Sequence, residues 1–418
     1  MTTKTPEQTT HWLAPFSVRS FKFQWPSDLA TSWAFEMETL ILGWYILVES
    51  GSVMLLVVFG ALQFFGALVS PFFGVVGDRF GYRRMLWITR AIYASLAATL
   101  LTLSWLDAIN PLIVLVIAGI VGLIRPSDMV LRYALVAQTQ PSHQLMGALG
   151  ISRITSDSAR MAGALAGAGA VSAFGMSTAY VVVTCLYVCS FLLAIKVDDN
   201  HSAPPKKEAV TPIHDLSVAF RYMSHNPVLL GSMGLAFLVN LLAFPLFLGL
   251  LPYVAKNIYL TDQAGLGLLG ASFAFGGLLA SIVLSSNRFK LRASQTMIIS
   301  SGVWFVLDLC FANTNDMQLG MLLLIGAGFA QSLCLTPLAA VMLRGTEPAY
   351  RGRVMGMRML AIWGLPLGLL MSGPLINNFG FHITASVYSL IGLGLTVTMT
   401  YYWRVYLWRS SSVANSFM

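Results

Sequence analysis

Gly74-Val-Val-Gly-Asp-Arg-Phe-Gly-Tyr-Arg-Arg-Met-Leu86 joins two apolar runs, about 52–73 and about 85–106. Each run is long enough to cross a bilayer as a helix. So short a connection makes the two helices antiparallel neighbours. Gly74, Gly77 and Gly81 let the backbone turn and pack closely. Asp78 is the one acid among Arg79, Arg83 and Arg84, and it can pair with them or sit at a helix N-terminus, where the dipole favours it. The arginines place this turn on the cytoplasmic side.

The rest of the chain agrees with a membrane reading. Of 418 residues, 56% are hydrophobic and 10% charged, and the mean hydropathy is +0.73. Soluble domains carry about 25% charged residues. A membrane β-barrel would show alternating segments of about 10 residues, not continuous apolar runs of about 20. The net charge of +8 is spread over turns on one side, so no nucleic-acid partner is expected. Cys185, Cys189, Cys310 and Cys334 all lie in apolar runs and read as small core residues. Residues 1–26 lack the apolar core of a cleavable signal peptide. No phosphate loop with its lysine, no His/Cys cluster and no nucleophile elbow is visible, so no enzyme, metal or cofactor is expected.

The opening stretch resembles the signature loop of the major facilitator superfamily, G-x-x-(A/G)-D-R-x-G-x-R-(R/K). Gly74, Gly77, Asp78, Arg79, Gly81, Arg83 and Arg84 fall on its positions, and Tyr82 departs from a common basic residue. The resemblance implies a twelve-helix, all-α membrane fold of two pseudo-symmetric six-helix bundles. It also implies that the loop latches the halves during alternating access. A second stretch, Pro348-Ala-Tyr-Arg-Gly-Arg-Val-Met-Gly356, resembles the P-x-x-x-R-G-R-V-x-G segment of the branch holding the enterobactin exporter and macrolide-efflux proteins, one residue shorter before the arginine. That resemblance implies efflux of a small organic molecule.

Spans are expected over about 27–48, 52–73, 85–106, 111–136, 152–174 and 177–196, then 228–250, 264–286, 294–313, 318–343, 355–377 and 381–403. The domains follow: a cytoplasmic tail over 1–26, a bundle over 27–196, a cytoplasmic linker over 197–226, a bundle over 227–404 and a tail over 405–418. All Lys and Arg except Arg90, Arg125, Arg160 and Lys256 fall in the cytoplasmic tails, turns and helix ends. Both termini are therefore expected inside an inner (plasma) membrane. Phe59–Ser70 aligns with Leu269–Ala280 at an offset of 210, which suggests related halves with a midplane site between them.

Charges inside spans are functional candidates by default. In the family, spans one, four, seven and ten line the cavity. Glu36 and Glu38 lie in span one on different faces, with Glu36 on the smaller, more polar one. Arg125, Asp128 and Arg132 share a face of span four, where Arg125 and Asp128 have the spacing of a local pair. At about 1.5 Å per residue, Arg125 lies about 9 Å from the cytoplasmic edge, and Glu36 and Arg160 about 12–14 Å. These three are expected to meet. Some antiporters of the superfamily have an acid in span one and an arginine in span four, but the usual R-x-x-Q-G is replaced here by Arg125-Pro-Ser-Asp-Met129. Arg90 is expected to reach back to the cytoplasm.

These readings assign proton coupling to Glu36, Glu38 and Asp128. Substrate contact falls to Arg125, Arg160, Asn240, Gln331 and Trp363, with Phe237 and Phe244 as a further aromatic wall. Arg351, Arg353 and Arg358 form an inner gate. The expected function is proton-coupled export of a small amphipathic or anionic molecule, such as a drug or siderophore, by a monomer in the bilayer. The alternatives are an importer or facilitator of an organic anion, and a non-transporting receptor or scaffold.

Overall fold

The computed structural model describes residues 14–68, 80–197, 218, 220–285, 292–347 and 350–404. They are helical, with no strand among them. Helix α1 is Arg19–Ser50 and α2 is Val53–Leu62, continued by a tight turn at Phe65–Leu68. Helix α3 is Tyr82–Trp105 and α4 is Pro111–Thr139. Ser142–Ile195 is interrupted at Gly175, whose φ of 79° is open to glycine but strained for other residues. This break divides it into α5 (142–174) and α6 (176–195).

The second half repeats the plan. Helix α7 is Pro227–Leu242, carried on by Phe244–Leu248. Helix α8 is Gln263–Ser285, α9 is Ala293–Ala312 and α10 is Met317–Arg344. Helix α11 runs through Arg351–Leu360 and Gly364–Phe379, and α12 is Phe381–Tyr402. Side chains cap several starts: Ser52 accepts from Leu55 N, Asn110 from Ile113 N, Asn226 from Leu229 N and Asp316 from Gln318 N. Each satisfies an amide that the helix itself leaves unpaired.

Eight helical stretches are long and apolar enough to cross a membrane, and Val53–Ala67 and Pro227–Leu242 are shorter apolar helices. Helix α1 is less apolar because it carries Asp28, Glu36 and Glu38. It also starts earlier than the span expected near 27. Phe21 and Gln24 are buried, and Gln24 Nε2 donates to the Arg132 carbonyl at 3.0 Å.

Apolar side chains such as Leu112, Phe174, Leu322 and Val397 stand exposed on the outside, where lipid would cover them. Inside, the halves differ. The first packs Phe35, Ile41, Tyr93, Tyr180 and Tyr187. The second stacks Phe247 on Phe273 at 4.7 Å and sets Phe244 edge-on to Trp304 at 5.0 Å. Such ring pairs contribute about 0.5–1.5 kcal/mol each beyond their area.

Among the described residues, the halves meet closely at the end away from the linker. Gly60 lies against Leu369, Gly373 against Met54 and Val57, and Gly267 and Gly270 against Ala164. Lys256 Nζ donates to the Leu47 carbonyl at 3.2 Å, joining the segment after α7 to the last turns of α1. Towards the linker end, the rings of Phe65 and Trp363 are 5.9 Å apart.

Candidate functional site

Helix α1 organises three separate groups of charges. Asp28, Ser32 and Glu36 recur every fourth residue and so share one face, whereas Glu38 faces another way.

Nearest the linker end, α1, α3 and α4 close a ring of two acids and two arginines. Arg90 Nη2 donates to Asp28 Oδ1 at 2.8 Å, and its Nη1 pairs with Asp128 Oδ1 at 2.7 Å. Arg132 Nε lies 2.9 Å from Asp128 Oδ2 and 3.3 Å from Asp28 Oδ1. Arg132 Nη1 also donates to Ser32 Oγ at 2.9 Å. The ring is charge-balanced and buried, with the Arg90 side chain at 0% exposure. Arg90 therefore does not reach back to the cytoplasm. Two carboxylates within contact distance hold it in the interior.

On the α6 side, Glu38 accepts from Tyr187 Oη at 2.8 Å and Tyr180 Oη at 3.4 Å. No arginine or lysine pairs with it among the described residues. Its face points into the first half and away from the cavity.

In the third group, Glu36 and Arg160 line the space between the halves and Arg125 stands behind them. Glu36 Oε1 is 3.9 Å from Arg125 Nη2 and 3.9 Å from Arg160 Nε. Helix α5 delivers Arg160 because it lies tight against α1. A Cβ on Gly163, one turn further on, would stand 2.8 Å from Glu36 Cβ, too close for any other residue without a shift. Arg125 stacks on Phe35, with Cζ 3.4 Å from the ring centroid, and lies 5.6 Å from the Phe64 ring. Such stacking suits the planar guanidinium and leaves its edge open for hydrogen bonds.

Glu36, Thr39, Phe59 and Arg160 face Phe247 and Phe273 of the other half across a cavity of about 80 Å³. Drug-sized sites run to about 300–1,000 Å³. The arrangement is thus a contracted one that must open to admit such a molecule. Beyond it, Arg160 shares a smaller pocket with Gln331 and Ser332 of α10.

Glu36, Arg125 and Arg160 thus lie together, and Gln331 adjoins them. Asp128 lies apart from Arg125, in the buried ring, because its carboxylate meets Arg90 and Arg132. Asn240 donates to the Ala236 carbonyl at 2.8 Å and packs against Gly364 on α11. Trp363 stands beside Phe65, and Phe244 is buried against Trp304 inside the second half. Of the signature loop, Gly74, Gly77, Asp78 and Arg79 lie outside the described residues. Gly81 precedes α3, Arg83 Nη2 donates to the Ile195 carbonyl at 3.0 Å, and Arg84 is exposed. Arg351 and Arg353 open α11 with side chains outside the described set, and Arg358 lies on the same helix. The sequence reading missed Asp28, although its four-residue spacing to Ser32 and Glu36 marks the face. It also missed the tyrosine partners of Glu38 and the polar edge at Ser332.

The profile of the Major Facilitator Superfamily matches residues 29–363. The chain is 24% identical over 376 residues to the multidrug efflux pump Tap of Mycolicibacterium fortuitum, covering 86% of this chain and 89% of that one. Among solved structures it is similar to a bacterial homologue of the human lysosomal transporter Spinster, inward-facing and unoccupied. There the TM-score is 0.67 at 13% identity, over 91% of this chain and 94% of the other. It is also similar to an auto-inhibited POT family peptide transporter, with a TM-score of 0.70 at 13% identity over 93% and 97% of the two chains. At such identities the structural likeness establishes the fold. With the profile spanning both halves and the charged cavity between them, the chain belongs to the major facilitator superfamily and is a multi-pass membrane transporter rather than an enzyme.

Proposed function

We propose that this transporter exports a small amphipathic or anionic organic molecule, of the drug or siderophore kind, in exchange for protons. The observation that carries the reading is Glu36, held at 3.9 Å by both Arg125 and Arg160 in the cavity between the halves. The distance exceeds that of a tight charge-assisted hydrogen bond, about 2.7–2.9 Å. Glu36 is the carboxylate at the cavity placed to carry the exchanged proton, and Arg160 beside it is placed to meet an anionic head. The efflux activity in the name of the 24% identical relative supports the outward direction.

In this scheme bundles over 27–196 and 227–404 rock about the cavity, joined by a cytoplasmic linker over 197–226, with both termini inside an inner membrane. The excess of Lys and Arg on the linker side supports that orientation. The loop around Asp78 latches the cytoplasmic end, and Arg351, Arg353 and Arg358 belong to the gate beside it. Glu38 and Asp128 are secondary candidates for the proton. Their bonds to Tyr187 and to Arg90 and Arg132 suit a structural role better.

The test is flux in proteoliposomes under an imposed pH gradient, across a panel of dyes, antibiotics and siderophores. Movement that collapses with the gradient and is lost in Glu36→Gln and Arg125→Ala is the expected result. Movement indifferent to the gradient would overturn proton exchange and favour a facilitator.

A further inference from the structure

We propose that the cavity selects a singly charged oxyanion, a carboxylate or sulfonate on an apolar body, and that Arg160 and Gln331 grip its head from opposite halves. The inference rests on the reading of this cavity as the transport site and names the class of molecule that fits it.

The argument starts from a charge census. Asp28 and Asp128 balance Arg90 and Arg132 in the closed ring, so that ring presents no net charge. Glu38 is turned into the first half and takes its hydrogen bonds from Tyr180 and Tyr187. That leaves one further cluster of two guanidinium groups and one carboxylate, in which Glu36 and Arg160 line the cavity and Arg125 stands behind Glu36, stacked on Phe35. No other acid, lysine or arginine lines the cavity or the adjoining pocket among the described residues. The cluster of Glu36, Arg125 and Arg160 therefore carries one uncompensated positive charge beside an apolar space. Low-dielectric walls strengthen such a charge relative to water.

One bound monoanion brings the site to neutrality. A cation meets two guanidinium groups and a single carboxylate already shared between them. A neutral molecule leaves the excess charge buried as the halves close.

The geometry supports the same conclusion. Arg125 is fixed against Phe35, whereas the Arg160 side chain is 39% exposed. Arg160 is thus the cation free to turn to a ligand. Across the interface, Gln331 Oε1 accepts from Ser332 Oγ at 3.2 Å. That bond orients the amide and leaves its Nε2 without a protein partner among the described residues. Arg160 and Gln331 line one pocket of about 10 Å³, which must widen with the main cavity to take an anionic head. An oxyanion there takes a guanidinium edge from the first half and an amide N–H from the second, so it draws the halves together. Phe59, Phe247 and Phe273 receive its apolar body.

The test uses the purified full chain and three ligands sharing one ring system: 1-naphthoate, its methyl ester and 1-naphthylmethylammonium. Binding is measured by calorimetry. The expected result is naphthoate at least tenfold tighter than either of the others. Arg160→Gln and Gln331→Leu lose that preference, and Arg160→Lys restores part of it. Glu36→Gln tightens naphthoate several-fold, because it removes the competing carboxylate; a merely structural Glu36 would not do this. Equal binding of the ester or ammonium, weaker naphthoate binding in Glu36→Gln, or no naphthoate binding at all overturns the proposal.

Flux of the same three ligands separates this inference from the exporter reading. Gradient-driven export of the ammonium would sink the oxyanion site and leave proton-coupled export standing. Arg160-dependent binding of naphthoate with gradient-independent movement would do the reverse.

Discussion

Within the first six helices, Arg90, Arg125, Arg132 and Arg160 lie beside Asp28, Asp128 and Glu36, each cation within 4 Å of an acid. In the last six, Asp308 is buried at 0% exposure, with both carboxylate oxygens unpartnered among the described residues. Trp304, one turn away, also has an unpartnered indole N–H. Helices in lipid gain little from burying apolar surface against one another, so close packing and interhelical polar bonds matter more. The first half is tied by ion pairs across α1, α3 and α4. The second is tied by stacked rings on α7, α8 and α9. Among the described residues, the charges that line the cavity belong to the first half, and the second adds apolar walls with Gln331 and Ser332.

The comparison can be broken most directly at Arg90. Arg90→Leu leaves Asp28 and Asp128 facing each other with one cation, and a loss of about 3–5 kcal/mol is expected. Thermal unfolding in detergent would read this as a large drop in Tm, partly recovered by adding Asp128→Asn. An unchanged Tm would mean that the ring does not pin the first half.

A smaller effect is expected at Tyr187. Tyr187→Phe removes the shorter of two donors to a buried acid, which costs about 1–3 kcal/mol. Glu38→Gln in the same background is expected to restore stability, and the double-mutant cycle measures the coupling.

Lys256→Met removes the bond from the second half to the Leu47 carbonyl, worth about 0.5–1.5 kcal/mol. Fold stability is expected to hold. What should change is the distance between spin labels placed across the end away from the linker, with a larger open fraction in the variant. An identical distance distribution would remove Lys256 from the closure of that end.

The smallest effect is expected at Asp308. Replacing a buried unpaired acid by leucine is expected to shift Tm upward or leave it within about 1 kcal/mol of the parent. A loss as large as that at Arg90 would show that Asp308 has a partner in another conformation, and the contrast between the halves would fail.

Part of this was readable in the sequence. Counting rise per residue put Glu36, Arg125 and Arg160 at similar depths, and the structure brings them into one cluster, with Glu36 and Arg160 at the cavity. The same counting put Arg125 and Asp128 on one face, yet Asp128 turns to Arg90 and Arg132 while Arg125 turns to Phe35 and Glu36. Periodicity assigns a residue to a sector of its own helix, but not to a neighbour. Arg90 was misread for a related reason. Long cations near a helix end often reach for the headgroups, and only the positions of α1 and α4 reveal two acids closer at hand. Asp28 was passed over because it stood at the edge of the first apolar run, where charge is inexpensive.

By itself the sequence determined the class of molecule, the alternation of twelve apolar spans and the family, because span length and charge placement are local consequences of the bilayer. Only the tertiary structure decided which charges meet. Ion pairing depends on how each helix is rotated and how closely its backbone approaches the next. At Glu36 that approach depends on Gly163, a residue with no charge at all.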